Sequence, residues 1–166
     1  MSFVAVDVDY REDRVVAAAV GFATWTDAAP TFEVARAFDG AAAAYEPGSF
    51  YKRELPYLLD VLAAAPVPVE VVVIDGFVWL DAGRPGLGVH LHRALPAQPK
   101  VVGVAKRPWR AGAGLAVRRG TSQAPLYVTA IAMDAAEAAR GVAAMHGPHR
   151  TPTLLARVDR LARDHE

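Results

Sequence analysis

Three short apolar runs, each followed by a charged side chain, restrict most strongly what this chain can fold into. The runs and the residues that follow them are 3–6 with Asp7, 71–74 with Asp75, and 101–105 with Lys106. Runs without alternation are typical of strands buried on both faces, as in a sheet covered by helices. Such sheets bind ligands beyond the carboxyl ends of their strands. We therefore expect two carboxylates and an ammonium group to converge there, although each could also mark only where a strand meets water.

The spacing of apolar residues predicts a mixed sheet with helices on both sides. The predicted strands are 3–8, 15–25 and 31–37 in an antiparallel meander, then 69–74 and 101–105, then a hairpin of 115–118 and 125–129. The predicted helices are 50–64, 89–95, 134–145 and 153–164. At 166 residues the chain suits one domain over 1–166, which would bury about 70% of the surface of the extended chain.

Charge and cysteine content narrow the classes of function. The chain has 18 basic and 18 acidic side chains, so contact with nucleic acid would need a local basic patch. Candidate patches, each of which could equally be solvated surface charge, are Lys52 with Arg53, Lys106 with Arg107 and Arg110, and Arg118 with Arg119. The absence of cysteine excludes disulfides, thiolate metal sites and a thiol nucleophile.

The N-terminus and the apolar stretches indicate the compartment. No basic segment or apolar helix precedes the strand that begins at Phe3. The longest apolar stretches are too short to cross a bilayer. We therefore expect a cytoplasmic protein without a membrane partner.

Glu54 stands at the edge of the apolar face of the predicted helix 50–64. A carboxylate in that place is costly to bury unless something compensates its charge, and a metal ion would do so. The alternative is a glutamate that the helix dipole favours near the N-terminus and that turns toward water. Together with Asp7 and Asp75 it offers only oxygen ligands, which Mg and Mn prefer. That set suits phosphodiester hydrolysis, with Lys106 holding the phosphate or stabilising its transition-state charge.

Several ordered motifs resemble those of endonuclease V, a family with a ribonuclease-H-like fold that cuts nucleic acid near deaminated purines. Residues 4–10 resemble its first metal-binding strand, and Tyr45-Glu46-Pro47-Gly48 with Glu54 its wedge and Phe-Arg-Glu segments. Residues 73–76 resemble its Asp-Gly strand end, 87–92 its Leu-Gly-Ile-Ala-Ser-His segment, and 102–106 its Ile-Gly-Val-Ala-Lys segment.

The resemblance implies an α/β, ribonuclease-H-like mixed β-sheet flanked by helices. It also implies an Mg- or Mn-dependent endonuclease that acts on DNA or RNA near inosine, in DNA repair or RNA processing. Asp7, Glu54 and Asp75 would bind the catalytic metal, and Lys106 would contact the phosphate. The substrate-binding residues that the resemblance implies are Tyr45, Pro47, Gly48, Gly76, His92 and Arg107.

Two departures from the family pattern leave alternatives open. Phe77, Val78 and Trp79 replace a glycine-rich stretch, and their bulk could fill the lesion pocket. The segment 129–132 lacks the family's Gly-His pair, and Asp134 could supply a late carboxylate or cap the helix that follows. The alternatives are a non-catalytic relative that binds nucleic acid or protein, and a nuclease with another target, such as a branched or flapped strand.

Overall fold

The computed structural model describes residues 1–40, 51–81, 83–109 and 112–166. Its strands are β1 (Phe3–Tyr10), β2 (Arg14–Phe22), β3 (Phe32–Asp39), β4 (Val71–Asp75), β5 (Trp79–Asp81), β6 (Arg84–Pro85), β7 (Lys100–Ala105), β8 (Leu115–Val117) and β9 (Leu126–Ile131). Its helices are α1 (Tyr51–Ala63), α2 (Leu87–Ala94), α3 (Ala135–Ala144) and α4 (Thr153–Asp164). Every helix in the described parts of the chain falls short of the length and apolarity needed to cross a bilayer.

A seven-stranded mixed sheet in the order β3-β2-β1-β4-β7-β9-β8 forms the centre of the fold. β1, β4 and β7 run parallel to one another, whereas β2, β3, β8 and β9 pair with antiparallel neighbours. The carboxyl ends of β1, β4 and β7 therefore meet at one edge, where polar residues from all three can gather.

Helices cover both faces of the sheet, which explains why its central strands lack polar alternation. On one face Val4, Val6 and Ile74 pack with α1 and α2. On the other, Phe3 and Ala5 pack with α3 and α4. The predicted α/β architecture with a sheet between helices is confirmed.

Two local differences from the sequence prediction concern the sheet edge. β1 ends at Tyr10 rather than at the predicted residue 8, because its antiparallel pairing with β2 continues to Tyr10↔Val15. Its parallel pairing with β4 ends earlier, at Val6↔Ile74, so Asp7 lies where β1 and β4 separate. Between the predicted strand 69–74 and the predicted helix 89–95, the structure contains a short ribbon of β5 and β6, which pair through Trp79↔Pro85.

Two arginines of the first hairpin fix α4 over the sheet. Arg11 donates to the carbonyl oxygens of Ala162 at 3.1 Å and Arg163 at 2.8 Å. Arg14 donates to the carbonyl oxygen of His165 at 3.0 Å. The last carbonyls of a helix lack partners within it, and cations there also complement the helix dipole. These bonds hold the final helix beside β1.

Candidate active site

Asp7 and Asp75 stand at equivalent places on neighbouring parallel strands, each one residue beyond the Val6↔Ile74 pair. Both line a narrow cleft together with Lys106 and with Asp159 of α4. The free volume between them is about 30 Å³, which suits a water molecule or an ion rather than a nucleotide. The convergence that the apolar runs predicted is therefore present at the carboxyl edge.

Glu54 approaches the same edge from α1, on the other face of the sheet. The residue is 7% exposed, and its Oε2 is buried without a hydrogen-bond partner. Its pKa is raised to about 8, first by burial and then by the negative charges of Asp7 and Asp75, while Arg53 opposes this rise. The carboxylate is thus buried beside other acids rather than turned toward water.

Asp7 of β1 and Asp75 of β4 also have raised pKa values. The pKa of Asp7 is raised to about 8, chiefly by burial and also by the charge of Asp75 and a hydrogen bond with Asp159. The Val8 N–H, 2.9 Å from Asp7 Oδ1, acts in the opposite direction. Asp75 reaches solvent, but reduced hydration still raises its pKa. The charge of Lys106 lowers this pKa, and the charge of Asp159 raises it. Near neutral pH these carboxyl groups therefore compete with one another for the charged form.

Asp159 is a member of the site that the sequence analysis missed. It lies four residues after Leu155 on α4, beside the buried stripe of Leu154, Val158 and Ala162. Its Oδ2 also pairs with Arg163 at 2.8 Å. The signal that could have found it is the one that singled out Glu54, a carboxylate at the edge of an apolar helix face. Asp134 instead caps α3, accepting from the Glu137 N–H at 3.2 Å, as the capping alternative predicted.

The carboxylates do not form a complete metal-binding site as they stand. In the described segments, no three or more Asp, Glu or His side chains form a group that could hold a metal ion as it stands. None of the ion pairs between described residues involves Asp7, Glu54 or Asp75. The unpartnered Glu54 Oε2 and the raised pKa values are what a cation bound here would relieve.

The chain beyond Asp75 crosses directly over β7, which explains the glycine at position 103. A Cβ on Gly103 would lie 2.4 Å from the carbonyl oxygen of Gly76. The Gly76 N–H donates to the Val104 carbonyl at 3.1 Å, and the Val78 N–H to Thr129 Oγ1 at 2.8 Å. Thr129, in the segment where the family pattern has Gly-His, thus anchors the crossing chain.

A cleft of about 330 Å³ lies next to the carboxylate edge, beyond Gly76. Its lining residues are Tyr51, Gly76, Phe77, Leu80, Pro85, Gly86, Leu87, Arg107, Pro108 and Trp109. The three bulky residues after Gly76 do not fill it, because they take different directions. Phe77 forms part of its wall, Val78 is fully buried in the core, and Trp79 borders a separate cleft near Thr129.

The other substrate-binding residues implied by the resemblance divide into three groups. Gly76 and Arg107 border the cleft. His92 lies away from this edge, because its Nδ1 is 2.7 Å from the Pro99 carbonyl oxygen, just before β7 begins. Tyr45, Pro47 and Gly48 lie outside the described residues.

Comparisons with known proteins show which family the chain resembles. A family model described as Endonuclease V matches residues 1–112. Endonuclease V of Streptomyces coelicolor is 36% identical over 104 residues, and that of Streptomyces avermitilis is 40% identical over 108. Each match covers 63% of this chain but only 44% of the relative. The matched segment therefore spans less than half the length of either Streptomyces protein.

Solved structures extend the likeness to nearly the whole fold. The crystal structure of the S. avermitilis protein superposes with a TM-score of 0.79 at 28% identity, covering 99% of this chain and 80% of that one. The catalytic domain of human endonuclease V gives a TM-score of 0.82 at 22% identity, covering 99% and 81%.

Endonuclease V of Ciona intestinalis, solved with a 23mer DNA containing an inosine followed by a ribo-adenosine, gives a TM-score of 0.78 at 16% identity, covering 98% and 84%. Together these likenesses confirm the predicted ribonuclease-H-like fold. With its family match over residues 1–112 and this shared architecture, the chain belongs to the endonuclease V family.

Proposed function

We propose that this chain is a divalent-metal-dependent endonuclease that hydrolyses phosphodiester bonds in DNA or RNA. The observation that carries the proposal is the buried Glu54 carboxylate, whose Oε2 has no partner and whose pKa is raised by burial and by the charges of Asp7 and Asp75. Burying several like charges is strongly unfavourable unless they are neutralised. Lys106 is the cation that acts on Asp75, and a divalent ion would neutralise more of the cluster.

The donor set determines which ion fits. Asp7, Glu54 and Asp75, with Asp159 as a fourth carboxylate, offer only oxygen ligands, which Mg²⁺ and Mn²⁺ prefer. When bound, such an ion activates water and neutralises charge on the leaving oxygen. The carboxyl groups of Asp7 and Glu54, with pKa values raised to about 8, would give up protons on binding it. The Lys106 ammonium group would bind an oxygen of the scissile phosphate.

The cleft beside the carboxylates supports a nucleic acid with one base out of the stack. Tyr51, Phe77 and Trp109 provide aromatic surface in a volume of about 330 Å³. Stacking on such rings contributes about 1–3 kcal/mol per base. Arg107 on the same wall would attract the adjoining phosphate. By analogy with the inosine-containing DNA bound by the Ciona protein, we propose a deaminated purine as the base.

Cleavage of matched oligonucleotides tests the proposal. Labelled DNA and RNA strands with inosine, or with adenosine at the same place, are incubated with the protein and Mg²⁺ or Mn²⁺. We expect the inosine strands to be cut and Asp75→Asn to lower the rate by about 100-fold or more. Asp39→Asn changes an exposed aspartate on the edge strand β3 and should cut like the wild type. Equal cleavage by wild type and Asp75→Asn would refute the proposal.

The same assay separates the two alternatives. A nuclease with a different target would cut flapped or branched strands equally well with adenosine and inosine. A non-catalytic relative would cut none of them and would also show no rise in melting temperature with Mg²⁺ or Mn²⁺, since a ligand stabilises only a folded state that binds it.

A further inference from the structure

Arg150 joins two strands at the carboxylate edge. It lies in the loop between α3 and α4, and its Nη2 donates to the carbonyl oxygen of Lys106 and, at 2.9 Å, to that of Pro125. Lys106 directly follows β7, and Pro125 directly precedes β9. One guanidinium group therefore ties the main chain of Lys106 to the start of the neighbouring strand.

The sheet itself does not hold Lys106. The pairing of β7 with β9 ends at Ala105↔Tyr127, so Lys106 is the first residue beyond the ladder. Its side chain is a charge on a flexible four-carbon stem, whose direction depends on where the main chain places it. The bond from Arg150 to the Lys106 carbonyl supplies a restraint at the point where strand pairing ends.

The loop that carries Arg150 is itself fixed from inside the protein. Arg119, which the sequence analysis grouped with Arg118 as possible surface charge, is 5% exposed. It donates to the carbonyl oxygens of His149 at 2.7 Å, Gly147 at 3.1 Å and Arg150 at 3.4 Å, and also to that of Met145. Charge-assisted bonds to several carbonyls hold a loop firmly.

The loop also reaches the carboxylates. Thr151 and Pro152, which follow Arg150, line the same cleft as Asp7, Asp75 and Lys106. The Arg150 Nε is buried without a partner, so this part of the guanidinium group is enclosed by protein rather than extended toward solvent. The arrangement suits a group that acts on its protein neighbours.

We propose that Arg150 is a positioning residue that directs Lys106 toward the carboxylate cluster for phosphate binding. The proposal rests on the nuclease function proposed above, because Lys106 has its role there. Arg150 acts through the main chain of Lys106 and takes no part in bond breaking.

A double-mutant cycle tests this positioning. The rates of oligonucleotide cleavage are compared for wild type, Arg150→Met, Lys106→Met and the double variant. We expect Arg150→Met to lower kcat/KM by about 10-fold or more in the wild-type background and by less than about 3-fold when Lys106 is already absent. Arg140→Met, which removes an exposed charge on α3, controls for net charge and should match the wild type. Equal losses in both backgrounds would overturn the proposal, because Arg150 would then act independently of Lys106.

Amide hydrogen exchange gives a second reading that does not need activity. We expect the peptide after Ala105 to exchange faster in Arg150→Met than in Arg140→Met, with Arg150→Lys in between; unchanged exchange in a folded variant would overturn the proposal. If Arg150→Met does not fold, Arg150→Lys takes its place in both experiments. If the wild type cuts no substrate, the proposed function fails, and the exchange rates alone decide the positioning role.

Discussion

Glu54 shows at the scale of a single residue why this site favours a cation. The residue is 7% exposed and its Oε2 has no partner. Burial and the charges of two aspartates raise its pKa, and Arg53 opposes them. The Arg53 guanidinium carbon lies 3.8 Å from the centre of the Tyr10 ring, so this cation also interacts with an aromatic face. The remaining negative charge is open to neutralisation by a proton or by a metal ion.

The pH dependence of metal-free stability follows from this pKa. A glutamate pKa raised to about 8 in the folded state lies well above the unfolded value of about 4.3. Between those values the folded state binds the proton more tightly, so the contribution to stability is complete at low pH and is lost as pH rises through about 8. We expect thermal unfolding in chelator to show less loss of stability between about pH 5 and about pH 8 for Glu54→Gln than for wild type. Glu12→Gln, an exposed change, should follow the wild type; the same slope for Glu54→Gln would contradict the expectation.

Asp134 and Asp159 offer a matched comparison of two late carboxylates. Asp134 caps α3, so Asp134→Ala should lower the free energy of unfolding by about 1 kcal/mol and leave the stabilisation by Mn²⁺ unchanged. Asp159→Asn removes a charge that acts on both Asp7 and Asp75 and should reduce that stabilisation. Melting temperatures with and without Mn²⁺ measure both effects. An undiminished response to Mn²⁺ in Asp159→Asn would exclude Asp159 from the site.

At the scale of elements, the crossing of the chain over β7 decides where the cleft lies. The segment after β4 packs on Gly103 and is held by Thr129 on β9. It then enters the β5–β6 ribbon and α2, whose first residue, Leu87, lines the cleft. The segment that crosses β7 therefore connects Asp75, at the end of β4, to the cleft that we propose binds the base.

Gly103→Ala tests the importance of this crossing. The new methyl group would lie 2.4 Å from the Gly76 carbonyl oxygen, and because that atom is main chain, relief requires the whole segment to move. We expect a loss of about 1–3 kcal/mol in the free energy of unfolding and reduced cleavage. Thr129→Ala, which removes the acceptor for the Val78 N–H and adds no atom, separates the loss of the hydrogen bond from the steric effect. A Gly103→Ala protein of wild-type stability and activity would show that the crossing tolerates displacement.

The local sequence pattern predicted the helices and strands better than it predicted which of them pack together. The unalternating runs indicated strands covered on both faces, and α4 begins and ends at the predicted residues. The parallel pairing of β1 with β4 and the docking of α4 depend on contacts between distant residues, such as Arg11 with Ala162, 151 positions apart. The spacing of apolar residues along the sequence does not predict such contacts. The apolar spacing of α4 does mark Asp159 as a carboxylate at the edge of a buried face, but only the docked helix shows that it lies near Asp7.

At the scale of the whole molecule, the fold concentrates charge that the composition conceals. Equal numbers of acidic and basic side chains give no overall field. Yet carboxylates from four elements, β1, α1, β4 and α4, lie at one edge of the sheet. Lys106, which follows β7, lies at the same edge. The apolar runs and the position of Glu54 predicted three of those carboxylates and the lysine from sequence alone. The role of Arg119 could not be predicted, because adjacent arginines at 118 and 119 look alike until the loop that covers one of them is in place.

A crystal soaked with manganese tests the central claim most directly. Anomalous scattering locates Mn²⁺ without reference to activity or to the substrate. The account predicts one or more peaks within coordination distance, about 2.0–2.3 Å, of carboxylate oxygens from Asp7 and Asp75, with Glu54 bound directly or through water. An ordered crystal at saturating Mn²⁺ with no peak beside these carboxylates would contradict it.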